Sequence, residues 1–133
     1  TLQLIQGSYS PPAQVVTLQM FGLMLSLISL FIYVSSVLIM RDNWTTGLEL
    51  RKNHHVVKKL AYRYVRHPIY TAWFGITISI ALMLQSVLFL IIFIPIFIWY
   101  YFRALEEEMF LKKQLRGYKN YWKHTKRFIP FIY

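Results

Sequence analysis

The sequence contains no cysteine and little acidic charge. Without cysteine, the chain can form no disulfide, bind no metal through a thiolate and use no cysteine nucleophile. Five Asp and Glu stand against fifteen Lys and Arg, which gives a formal net charge of +10. The first forty residues carry no Lys or Arg, so they lack the basic n-region of a signal peptide. Because the first residue is Thr1 rather than Met, we expect the chain to be processed or to be part of a longer protein.

Several motifs of soluble enzymes are also missing. The sequence has no G-x-G-x-x-G or Walker pattern, no serine-hydrolase motif and no H-x-x-x-H pair. His54 and His55 are adjacent, and neighbouring side chains on a helix point about 100° apart, so such a pair rarely shares one metal ion. We therefore predict no metal site.

Apolar residues, by contrast, are abundant. The chain is 56% hydrophobic with a mean hydropathy of +0.40, more than a soluble domain of this size could bury, which favours a membrane protein. Val15–Met40 contains no charged residue. At about 1.5 Å per residue, a helix of this length crosses a hydrocarbon core about 30 Å thick. We predict a transmembrane helix there.

The basic residues fall into two groups, Arg41–Arg66 and Arg103–Arg127. A nucleic-acid-binding protein can be equally basic, but groups that flank apolar segments are typical of the positive-inside rule. The uncharged residues 68–102 are too long for one comfortable crossing and short for two. A hairpin would place both basic groups on one side of the membrane. We therefore predict helices over about 68–83 and 86–102, and no nucleic-acid partner.

The predicted fold is an all-α integral membrane protein with a single domain, residues 1–133. We expect the N-terminus outside, and the polar loop and C-terminal tail on the cytoplasmic side. Gly117 is expected to weaken or break the last helix. The expected segments are a transmembrane helix at 15–40, a cytoplasmic-side loop at 41–67, a short helical hairpin at 68–102, and an amphipathic helix with an interfacial tail at 103–133.

A first polar cluster, Arg66-His67-Pro68 with Tyr70, lies where the second apolar segment begins. It can be interpreted as the end of a membrane helix, where Arg66 snorkels to the headgroups and Pro68 begins the helix. That interpretation gives His67 no function.

A second cluster, Arg103 with Glu106–Glu108, follows the apolar segment. A solvated helix face with the ion pairs Arg103–Glu107 and Glu108–Lys112 would explain it. The predicted hairpin, however, brings both clusters to the same membrane surface. Ionisable groups at membrane depth are by default candidates for a functional site, so we expect one site built from both clusters.

These motifs resemble the isoprenylcysteine carboxyl methyltransferase family, integral-membrane enzymes that use S-adenosylmethionine. The resemblance covers roughly residues 20–132 and rests on "HHVVKKLAYRYVRHPIYTA" (54–72) and "RALEEEMFLKKQLRGYKNYWKHTKRFIP" (103–130). The matching positions are Arg66, His67, Pro68 and Tyr70, then Arg103, Glu107 and Glu108, then Tyr118, Tyr121, Arg127 and Pro130.

The resemblance implies methyl transfer from S-adenosylmethionine to a lipophilic or membrane-associated acceptor, such as a prenylcysteine-type carboxylate. Carboxylates would accept hydrogen bonds from ribose hydroxyls, and aromatic rings would contact the adenine and the sulfonium. By the same resemblance, the cofactor pocket would contain His54, Val57, Tyr62, His67, Tyr70 and Glu107, and the acceptor side would contain Arg66, Arg103 and Glu108.

The chain departs from the family pattern at glycine positions. Leu60-Ala61 stand where the family has Gly-Pro, Ala72 replaces the glycine after H-P-I-Y, and Leu115-Arg116 replace Phe-Gly. Glycines at such sites permit close backbone approach or unusual dihedral angles. Their loss supports a second hypothesis, a catalytically silent structural subunit of a larger membrane complex. A third is a membrane enzyme similar to sterol reductases, which have a similar basic, aromatic tail.

Overall fold

The structure, a computed structural model, describes residues 12–41 and 55–132. This part of the chain contains four α-helices and one 3₁₀ helix, and no strand, as expected for an all-α fold. The helices are α1 (Ala13–Met40), the 3₁₀ helix Leu60–Arg63, α2 (Pro68–Leu84), α3 (Val87–Gln114) and α4 (Tyr118–His124).

Two of these helices, α1 and α3, are long and apolar enough to cross a membrane. Only 11% of the most apolar window of α1 and 6% of that of α3 is buried inside the protein. A core helix of a soluble protein would be mostly buried, so these exposed apolar faces suit contact with lipid. Helix α2 is also apolar but shorter.

Small residues form the contact between α1 and α2. Gly22, Ser29 and Ser36 are buried at seven-residue intervals along α1, and Ala72 and Ser79 are buried on α2. Small side chains let two membrane helices approach closely. A Cβ atom added to Gly22 would lie 2.9 Å from the backbone oxygen of Ser79, so the two backbones are nearly in contact there.

Helices α2 and α3 form an antiparallel pair joined by two residues. Gln85 ends α2 in the left-handed conformation (φ 52), and the Ser86 hydroxyl caps α3 by accepting the Phe89 N–H. The Tyr70 and Tyr100 rings lie 4.8 Å apart. This contact places the beginning of α2 beside the part of α3 that carries the glutamates.

The C-terminal tail folds back onto the segment before α2. After α3 the chain turns at Gly117 (φ 84), and a short parallel bridge joins Val65 to Lys126. The Tyr121 hydroxyl donates to the Tyr62 carbonyl oxygen at 2.6 Å. The sequence predicted an interfacial tail with a break at Gly117, and the structure adds that the tail packs against residues 62–67.

We expect Gly22→Leu to lower the free energy of unfolding by about 1–3 kcal/mol, because the new side chain overpacks the α1–α2 contact. Val34→Leu is a matched control, since Val34 is 45% exposed on the same helix. The check is the thermal unfolding midpoint in detergent. Equal midpoints for the two variants would contradict the close backbone contact.

Candidate functional site

The centre of the polar cluster is Glu108, which is only 2% exposed. Its Oε1 atom accepts hydrogen bonds from Arg66 Nε and Arg127 Nε, each at 3.0 Å, and lies 3.2 Å from His67 Nε2. Its Oε2 atom accepts from Trp122 Nε1 at 3.0 Å and Arg127 Nη2 at 3.2 Å. One carboxylate therefore joins α3 to the beginning of α2, to α4 and to the tail.

This environment keeps Glu108 ionised. The uncharged part of α3 ends at Phe102, so Glu108 lies on the helix beyond the apolar span. Burial by itself raises the pKa of Glu108, but the hydrogen bonds from its four partners outweigh burial and hold that pKa well below its ordinary value. A buried carboxylate is tolerated when charged partners satisfy it in this way.

Two simpler interpretations of the sequence are wrong. Arg66 does not snorkel to the headgroups, because its side chain is 7% exposed and also donates to the carbonyl oxygens of Trp122 and Thr125. Lys112 does not pair with Glu108, because Glu108 points into the protein. Its ammonium instead lies 3.5 Å from the centre of the Trp122 ring, a cation–π contact.

Glu107, the next residue, has a different environment. Its side chain is 28% exposed. The Tyr70 hydroxyl donates to Glu107 Oε1 at 2.6 Å, and Arg103 Nε lies 3.4 Å from the same atom. The Arg103–Glu107 ion pair expected from the sequence is therefore present, and Tyr70 joins it. This accessible group of carboxylate, phenol and guanidinium is the part of the cluster that is a candidate for ligand binding.

His67 connects the two glutamates. Its Nδ1 atom lies 3.5 Å from Glu107 Oε2 and its Nε2 atom 3.2 Å from Glu108 Oε1. The imidazole stacks on the Tyr70 ring with a centroid distance of 5.3 Å and an interplanar angle of 1°, and Phe128 packs against it. His67 is thus held in place on several sides. It links the buried Glu108 cluster to the accessible group of Glu107, Tyr70 and Arg103.

The remaining predicted cofactor residues precede α2. Tyr62 is buried, and burial, then Tyr121 and the Glu107 carboxylate raise the pKa of Tyr62 above its ordinary value. Tyr62 therefore lies within electrostatic range of the site and stays protonated. Val57 is half-buried in the extended segment before the 3₁₀ helix. His54 lies outside the described residues.

The structure shows how the chain accommodates the replaced glycines. Leu60 adopts φ 47, a left-handed conformation that favours glycine, so the family glycine there fits a backbone requirement that this chain meets with leucine. Gly117, one position after Arg116, provides a left-handed turn (φ 84). Ala72 is buried at 1% exposure in the α1–α2 contact. The departures are therefore compatible with an ordered fold.

The site residues that sequence reasoning missed are Trp122 and Arg127. Arg127 belonged to the matching motif and Trp122 to an apolar helix face, but nothing local showed that both turn back to Glu108. One signal was available: a carboxylate buried in so basic a chain needs cations, and the tail is rich in them. Within residues 12–41 and 55–132, no three His, Cys, Asp or Glu side chains are arranged so that they could hold a metal ion.

Comparison with known families fits this geometry. The model of the isoprenylcysteine carboxyl methyltransferase family matches residues 19–113, well over half of the chain. The chain belongs to this family. Comparison with curated proteins gives no match. Family membership, together with the exposed apolar helices, makes the chain a membrane protein of methyltransferase type. The tail that supplies Trp122 and Arg127 lies beyond the matched residues.

We expect Glu108→Gln to lower the free energy of unfolding by about 3 kcal/mol, because it removes the negative charge from a buried carboxylate that two guanidinium groups bind. Glu106→Gln removes the same charge two residues away, where the side chain is 55% exposed. Such an exposed ion pair contributes about 0.5 kcal/mol. Thermal unfolding of both variants in detergent checks this, and similar losses of stability would contradict a central function for Glu108.

The conformation of Leu60 leads to a further prediction. Leu60→Gly and Leu60→Ala both remove a side chain that is 58% exposed, but only glycine relieves the left-handed strain. We expect the glycine variant to be more stable than the alanine variant by about 1 kcal/mol. Chemical unfolding of the two variants in parallel measures the difference, and a more stable alanine variant would contradict the strain.

Proposed function

We propose that the protein transfers a methyl group from S-adenosylmethionine to a lipophilic or membrane-associated acceptor. The observation that carries this proposal is the contrast between the two neighbouring glutamates. Glu108 is enclosed by its partners, whereas Glu107 remains accessible beside Tyr70 and Arg103. A rigid interior group that supports an accessible polar group is the arrangement expected of a binding site.

The accessible group has the chemistry that the methyl donor requires. Glu107 can accept hydrogen bonds from ribose hydroxyls, and Tyr70 and Tyr100 offer aromatic faces to the adenine or the sulfonium. His67 borders this group, and we propose that Tyr62 belongs to the same pocket. When bound, S-adenosylmethionine supplies an electrophilic methyl group. The residues of this chain orient the donor and keep water away from it.

Arg103 is our candidate for contact with the acceptor. Its side chain is 25% exposed, and a guanidinium can hold a carboxylate in a bidentate geometry. A carboxylate acceptor would need no general base, because it carries no proton to remove. Opposite charges would neutralise during transfer, which a low-dielectric site favours. Arg66 and Glu108, which the resemblance puts on the acceptor side, are proposed here to position His67 from the interior.

We also propose a bilayer orientation. The uncharged part of α1 would cross the membrane, and α2 with the uncharged part of α3 would pass into it and back as a hairpin. The basic residues before α2 and after Phe102 would then both lie on the cytoplasmic side. The site would then be at the membrane surface, where a lipophilic acceptor can present a polar head while its chain stays in the lipid.

The test is calorimetric binding of S-adenosylmethionine and S-adenosylhomocysteine to the detergent-purified protein. We expect binding, and we expect Glu107→Gln to weaken it at least tenfold because the carboxylate loses its charge and part of its accepting capacity. Glu106→Gln is the matched control, because Glu106 is exposed on the neighbouring helix position. Its affinity should remain that of the original protein.

The outcomes separate the hypotheses. No binding at millimolar ligand, with the fold intact, would exclude the methyltransferase and favour a silent structural subunit. A thermal shift with NADPH instead would favour the enzyme similar to sterol reductases. If the donor binds, the product identifies the acceptor class: a methyl ester releases methanol in base, whereas a methyl thioether does not.

A further inference from the structure

A groove of about 380 Å³ lies on the side of α1, apart from the polar site. None of its lining residues belongs to the group around Glu107 and Glu108. It lies between the C-terminal half of α1 and the 3₁₀ helix. Its lining residues are Phe31, Ile32, Ser35, Leu60, Ala61, Arg63 and Tyr64.

The α1 residues that line the groove, Phe31, Ile32 and Ser35, lie within the apolar part of this helix. Phe31 precedes Met40, the last residue of α1, by nine positions, which is about 14 Å along a helix. Phe31 is therefore at hydrocarbon depth if α1 crosses the membrane, while Arg63 and Tyr64 line the groove from the 3₁₀ helix. A groove lined by a cation and by apolar side chains suits a phospholipid, which has a polar headgroup and an acyl chain.

The charge at the groove mouth has a definite sign. Arg63 is exposed, and the carboxylates of the described part, Glu106–Glu108, are engaged with Arg103 and with the partners in the site. Lys58 and Lys59, also exposed, precede it by a few residues. The mouth is therefore complementary to an anion. A zwitterionic headgroup would gain less from it.

The wall of the groove includes the strained residue. Leu60 adopts φ 47 and yet leaves its side chain 58% exposed. Strain that burial does not explain is a reason to look for a function. Leu60 lines the same groove as Arg63 and provides an apolar surface that an acyl chain could contact.

We propose that this groove binds an anionic phospholipid. Its phosphate lies at Arg63, and the upper part of one acyl chain lies along Phe31 and Leu60. The site does not depend on methyl transfer and would be present in a catalytically silent protein. The lipid stabilises the contact between α1 and the 3₁₀ helix, from which the chain continues into the polar site.

The experiment compares retention of phosphatidylglycerol and phosphatidylcholine with identical chains, by native mass spectrometry of the detergent-purified protein. We expect preferential retention of phosphatidylglycerol. Arg63→Gln should reduce that preference about fivefold, the effect of one basic residue at a membrane surface. Arg116→Gln makes the same charge change at an exposed position between α3 and α4 and should leave the preference unchanged.

A second variant tests the apolar part. Ser35→Phe fills the groove without changing charge and should reduce retention of both lipids, while the thermal unfolding midpoint without lipid reports whether the fold is intact. The proposal is overturned if the two lipids are retained equally, if Arg63→Gln and Arg116→Gln act alike, or if Ser35→Phe has no effect. The final experiment is competition with inorganic phosphate. If phosphate displaces the lipid at low concentration, the site recognises a free anion and the lipid proposal is wrong.

Discussion

The burial of one carboxylate organises this molecule. Glu108 lies inside a chain with fifteen cations and five acids, and it is satisfied by two guanidinium groups, an indole and an imidazole. A buried charge is tolerated only when its partners hold a good geometry. The partners come from three different segments: the beginning of α2, helix α4 and the tail. The Glu108 carboxylate adds to the backbone pairing of Val65 with Lys126 in holding these segments together.

Two adjacent glutamates can serve different purposes because of helix geometry. Successive side chains on a helix point about 100° apart, so when one enters the interior, the next faces the side of the helix. Here Glu108 is enclosed and Glu107 is accessible. His67 contacts both carboxylates. The accessible Glu107 carboxylate is therefore packed against a residue that is itself held in place. For the proposed methyl transfer to a carboxylate, precise placement of this kind would matter more than proton transfer.

Much of the helical arrangement could be predicted from the sequence. Uncharged segments and the distribution of Lys and Arg predicted the helices, the turn at Gln85 and the meeting of residues 66–70 with residues 103–108. These predictions rely on patterns of charge and hydropathy that extend over many residues. The individual partners of Glu108 could not be predicted, because the backbone pairing of Val65 with Lys126 joins distant segments and leaves no periodic pattern. A local rule favoured Lys112, but Arg66 and Arg127 offer more donors in a fixed geometry.

The return of the tail has a consequence for biosynthesis. A ribosome makes the apolar helices first, and these can enter a membrane before the tail exists. Arg127 is made sixty residues after His67, and the two meet through both a backbone hydrogen bond and their shared carboxylate. The site residues that precede Arg127 are therefore synthesised before the site can be completed. We expect a chain truncated before Arg127 to insert into the membrane and to keep most of its helices. It would lack the Arg127 contacts that help to position His67.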